Sequence, residues 1–150
     1  MPNLRALRRL LRVRTLEEEQ RQAELEAVLA ASHHLESMVA YQEQGSRAGR
    51  ALAFTAIFHD EGASRLAGLE QLDRMAARAS ALAPALETAQ AAVAEARQSY
   101  LASRVERRQA QSLIEAAERD LAVTERRRAQ QQADDAHLRR RARSTPRDAA

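Results

Sequence analysis

His33 and His34, together with the run His59-Asp60-Glu61, are the side chains here whose type and spacing come nearest to chemistry. Adjacent histidines on a helix point about 100° apart and cannot clamp one metal ion, so a solvated or partner-facing pair is the better reading. His59 lies beside two carboxylates but lacks the second histidine one turn away that a helical zinc site needs. A turn explains this tripeptide better. With no cysteine in the chain, disulfides, Cys-ligated zinc and thiol catalysis are excluded. There is no glycine-rich phosphate loop, nucleophile elbow or paired-carboxylate arrangement. The sequence therefore predicts no enzyme, no catalytic or metal-binding residues and no cofactor.

Arginine is the other candidate chemistry. The formal net charge is +3, and every basic residue is Arg. Arg126-Arg127-Arg128 and Arg139-Arg140-Arg141 with Arg143 could neutralise phosphates. Asp134 and Asp135 interrupt them, however, and no aromatic side chain beyond Tyr100 is available to stack on bases. Basic-zipper proteins place the basic segment before the heptads, and here the order is reversed. Nucleic acid is not expected as a partner. At the other end, Leu4, Leu7, Leu10, Leu11 and Val13 interleave with Arg5, Arg8, Arg9, Arg12 and Arg14. A transit peptide or membrane-surface helix reads this way, but the heptad register continues past it, which favours the first turns of a coiled coil with a basic outer face. No stretch approaches the ~18 apolar residues of a membrane span, and no apolar secretory core follows the N-terminus. The expected location is a reducing cytoplasm, with at most peripheral contact with the cytoplasmic face of the membrane.

The elements that must carry these residues are helices. Ala, Leu, Glu, Gln and Arg dominate, and these lose least on entering a helix. Four Gly, three Pro and four aromatic residues in 150 leave little for hairpins of strand or a thick core. In the second half, Leu72, Ala79, Leu86, Val93, Tyr100, Arg107, Ile114, Leu121 and Arg128 recur every seven residues. Met75, Leu82, Ala89, Ala96, Ser103, Ala110, Ala117 and Thr124 fill the companion position. This 3,4 alternation far exceeds the three or four heptads that define a coiled coil. The first half repeats it more weakly through Leu4, Leu7, Leu11, Leu25, Val28, Leu35 and Val39, with Arg14, Glu18, Arg21 and Ser32 between them.

Residues 17–36 carry six Glu against one Arg, while 104–108 and 126–128 are Arg-rich, so an antiparallel fold-back sets acid against base. If the far ends are flush, Glu17 to Glu19 lie near Arg126 to Arg128. If the hairpin is tight near Asp60, they lie near Arg104 to Arg108. Gly45, Gly49 and Gly62 punctuate the middle, and Asp60-Glu61-Gly62 reads as a turn. The apolar run Ala51 to Phe58 reads as a short helix or a continuation of the first helix that caps the tip. Pro84 predicts a kink or a break before it. The fold class is all-α, a long two-helix antiparallel coiled coil with a short helical or irregular tip. One coiled-coil domain spans 1–143, with helix 1 over about 3–44, a connection over 45–62, helix 2 over about 64–142, and a disordered tail at 144–150.

The chain resembles the FliJ/YscO family of type III export stalk proteins, with the flagellar branch favoured. The resemblance rests on Leu10-Leu11-Arg12-Val13-Arg14 followed by Glu17-Glu18-Glu19-Gln20, then Tyr41 toward the end of helix 1. It continues through Val93, Arg97 and Tyr100 (a position where the family usually has Trp), then Arg107-Arg108, and the finish Asp134-Asp135…Arg139. It implies a cytoplasmic, non-enzymatic stalk and escort, monomeric in isolation, whose partners are the hexameric export ATPase, the export-gate membrane protein and export chaperones. On that resemblance Arg5, Arg8, Arg9, Arg12, Arg139, Arg140 and Arg141 would contact the ATPase pore. Tyr41, Phe54, Phe58, Leu72 and Met75 would contact gate or chaperones, although an aromatic that flagellar members often show near Leu72 is absent. The alternatives are an injectisome stalk of the same family, or a generic coiled-coil scaffold or dimeric adaptor.

Overall fold

The computed structural model describes residues 3–59 and 61–144. Two helices account for nearly all of them: α1 (Leu4–Phe58) and α2 (Gly62–Ser144). They pack against each other as an all-α helical hairpin, with no strand among the described residues. Contacts divide the chain into two compact units. One combines the chain up to Leu16 with the chain from Val105 onward, and the other runs from Glu17 to Arg104.

The seven-residue stripe of α2 is the face turned inward. Met75, Ser103, Ala110 and Ile114 are buried, and Leu72, Leu82, Leu86, Ala89, Val93, Ala96, Tyr100, Arg107, Ala117 and Thr124 are half-buried. Ala79, Leu121 and Arg128 are the stripe positions left exposed. Ala, Ser and Thr fill many of these positions, so their layers remove little apolar area, and at roughly 25 cal/mol per Å² the stability is spread thinly along the seam. Ser103 answers its own burial by donating its hydroxyl to the carbonyl of Tyr100 at 2.8 Å.

On α1 the inward row is Leu25, Val28, Ser32, Leu35 and Val39, and it runs on without a slip through Gln42, Ser46, Gly49, Ala53 and Ala56. The break expected over 45–62 is therefore absent. Helix α1 continues to Phe58, which is the continuation reading of Ala51 to Phe58, and the connection shrinks to His59 through Glu61. The reason is visible at the glycines. A Cβ built on Gly68 would lie 2.8 Å from the backbone nitrogen of Ala53 and 2.9 Å from the carbonyl oxygen of Gly49. Only residues without a Cβ let the two backbones come this close. Gly45 likewise receives the Met75 sulfur, 2.7 Å from where its Cβ would stand. These glycines belong to the seam and break neither helix. Within the seam, Gln42 is buried with its Oε1 lacking any hydrogen-bond partner.

Three helix ends are satisfied locally. Asn3 caps α1, its Oδ1 accepting the backbone N–H of Arg5 at 3.0 Å. At the other end of α1 the N–H of Glu61 reaches the carbonyl of Ala56 at 3.2 Å, the wide closing bond typical of helix C-termini. Glu61 then starts α2, its carbonyl taking the N–H of Arg65 at 3.0 Å and its carboxylate the hydroxyl of Ser64. Asp60 and the tail from Thr145 lie outside the described residues. Pro84 sits inside α2 without ending it. No helix is divided before it, and its carbonyl accepts the Thr88 hydroxyl at 2.9 Å.

Candidate protein-contact surfaces

In the first of these units, ion pairs join the helices, among them Arg14 to Glu106 at 2.7 Å and Arg8 to Glu118 at 3.1 Å. They decide between the two registers in favour of the tight one, since Arg8 has already reached only Glu118. In these two pairs the base stands on α1 and the acid on α2. Both pairs are substantially exposed, so each contributes only ~0.2–1 kcal/mol. Their value lies in fixing direction and register.

Because α1 starts opposite this region, α2 outruns it. From Glu125 to Arg143 every residue is exposed, and this stretch holds seven Arg against Glu125, Asp134 and Asp135. The predicted contact residues Arg139, Arg140 and Arg141 stand on this bare helix. Arg139 and Arg140 share a shallow surface groove with Gln132, Asp135 and Arg143. On α1, Arg5, Arg8, Arg9 and Arg12 line a groove of their own, with Arg8 turned partly toward Glu118. All four are exposed.

The other unit ends in an apolar tip. The rings of Phe54 and Phe58 meet edge to face with centroids 4.9 Å apart, a favourable arrangement for aromatic pairs. Both remain largely in solvent, at 63% and 71% exposure. Leu52, Ile57, Leu66 and Leu69 are also exposed nearby in the chain. Leu52 and Ile57 belong to the apolar run from Ala51 to Phe58, whereas Leu66 and Leu69 were not singled out from the sequence. The signal for Leu66 and Leu69 was their position off the row set by Leu72 and Met75. Tyr41 is exposed as well. Leu72 and Met75 differ from the rest of the predicted group: Leu72 is half-buried and Met75 is buried under Gly45. Both belong to the seam, and a partner could reach Met75 only by parting the helices.

The histidines stay on the surface. His33 Nδ1 lies 3.1 Å from a Glu36 carboxylate oxygen one turn on, and His34 is exposed beside it. Among the described residues no three His, Asp or Glu side chains converge as metal ligands would, and no helix is long and apolar enough to cross a membrane. One carboxylate is perturbed: Arg21, donating to Glu24 at 2.8 Å, holds the Glu24 carboxyl below its usual range. No family model, curated protein or solved structure matches the chain.

Proposed function

We propose that this protein is a non-enzymatic helical stalk that works by presenting two different surfaces to other proteins. The observation that carries the reading is the arginine-rich extension of α2 from Glu125 to Arg143, exposed on every side. A helix of that length has no interior of its own, and isolated helices are marginal in water, so an ordered extension calls for something to hold. Its charge suits an acidic lining. The exposed Phe54–Phe58 pair with Tyr41 supplies a second, apolar surface of the sort that anchors protein interfaces.

In this reading, taken together with the resemblance drawn above, the Arg-rich ends engage the ring of a hexameric export ATPase. The tip residues meet the export gate and its chaperones, and the flagellar system is the favoured setting. The test is retention of the full chain on an immobilised export ATPase, combined with ATP hydrolysis measured as chain is added. Binding and stimulation that fall when Arg139, Arg140 and Arg141 are all replaced by Glu support the proposal. Equal behaviour of this variant and the parent, or no retention at low salt, rejects it.

A further inference from the structure

Between Leu25 and Phe58 the charges of α1 are segregated to a degree the seam does not require. With the inward row as heptad positions a and d, Glu26, His33 and Arg47 fall at b, and Glu36, Glu43 and Arg50 fall at e. Positions c, f and g, the remaining flank, carry no charged side chain apart from the titratable His34. They are filled by Ala27, Ala30 and Ala31, then Met38 and Tyr41 and, further on, Leu52 and Phe58. Apart from half-buried Gly45 at g this flank is exposed, with Met38 at 37% and Tyr41 at 65%. The outer surface of a solvated helix ordinarily carries its charges on just these positions.

The flank is self-complementary in two respects. Between Ala27 and Tyr41 its alanines lie N-terminal to His34 and its large side chains C-terminal, so reversing a second copy about a point near His34 lays Tyr41 over Ala27 and Met38 over Ala30 and Ala31. The same reversal brings Glu24 to the level of Gln44. There α2 borders the flank, because Gly45, at g, receives the Met75 sulfur of α2. Arg78 occupies that edge and makes no ion pair among the described residues, while the neighbouring Arg74 is held by Glu70 at 3.1 Å. Glu24 is kept ionised by its own contact with Arg21.

We infer that this flank of α1 is a docking face for a second copy of the chain, the two copies running antiparallel about a two-fold axis near His34. An interface in which the same patch meets itself is the commonest way for identical chains to close a dimer. About twenty residues of helix, ~30 Å at 1.5 Å per residue, make a small contact, so the dimer is weak and forms with concentration. It modifies the monomer expected from the sequence. It does not rest on the stalk reading, since it leaves Glu125 to Arg143 uncovered.

Sedimentation velocity of the full chain from a few to several hundred micromolar tests it. The expected result is a reversible monomer–dimer equilibrium that Ala30→Arg abolishes and Tyr41→Ala weakens at least tenfold, while Glu43→Ala on the opposite flank leaves it unchanged. Ala30 is exposed, and an unaltered helical signal for A30R shows that the loss is at the interface. Because the chain has no cysteine, His34→Cys provides an independent arm: mild oxidation should link two copies through that residue, and Glu43→Cys should not. A monomer at every concentration, or a dimer indifferent to Ala30→Arg and unlinked through position 34, overturns the inference.

Discussion

At the scale of single residues, the same substitution should act in opposite directions at two glycines. Gly68→Ala drives a methyl into the backbone of Ala53 and Gly49, neither of which can yield without parting the helices. Overpacking of this kind costs roughly 1–3 kcal/mol, more than the ~1 kcal/mol that alanine gains within a helix. Gly62→Ala meets nothing within 4 Å and should stabilise by about 0.4–1 kcal/mol through the unfolded chain. Urea unfolding followed by circular dichroism reads both. Equal shifts for the two variants would show that the helices do not approach at Gly68. Gln42 offers a second test. Its buried oxygen has no partner, and an unmet acceptor of this kind carries a penalty of about 1–3 kcal/mol. Gln42→Leu should therefore raise the unfolding midpoint, and a fall would mean that the amide is satisfied in solution.

At the scale of the helices, Pro84 is the element's weak point. It removes one backbone hydrogen bond from an 83-residue helix, and proline in a helix interior costs ~3 kcal/mol relative to alanine. Since Pro84 is exposed, Pro84→Ala should disturb no packing and should raise the melting temperature by several degrees, measured by calorimetry. The two helices also show how far their own sequence disclosed them. In α2 the inward stripe from Leu72 to Thr124 was legible because Leu, Val, Ile and Met recur along it and alanine fills most of the rest. In α1 the row from Gln42 to Ala56 was not, because its members are a glutamine, a serine, a glycine and two alanines, which no count of apolar residues detects. The glycines there read as turn material, although glycine favours a turn and a close helix contact for the same lack of a side chain. Counting positions by three and four regardless of residue type would have carried the register through. Met75 was read both as a member of the stripe and, from the resemblance, as an outside contact; its place is in the stripe, in the space that Gly45 leaves empty. Tyr41, Phe54 and Phe58 are exposed.

At the scale of the whole molecule, stability and the proposed contacts occupy different residues. The buried side chains lie between Ser32 and Ile114, whereas Glu125 to Arg143 bury nothing. A chain ending at Thr124 should then melt within about 2 °C of the parent, because no seam layer is lost, and a 1 kcal/mol change moves a domain of 150 residues by only about 2–4 °C. The same truncation should remove retention on the export ATPase. A large drop in melting temperature would assign the extension a structural part and weaken its proposed role as a contact surface.

The three-residue connection from His59 to Glu61 has a kinetic consequence. Bringing two segments together costs entropy that grows with the length of chain between them, so Gly68 can find Ala53 long before Glu118 can find Arg8. Folding should nucleate at the turn, where the glycines permit the tightest fit, and then zip outward one layer at a time, each new layer shortening the search for the next. A substitution beside the turn should slow refolding, whereas one near the chain ends should mainly hasten unfolding.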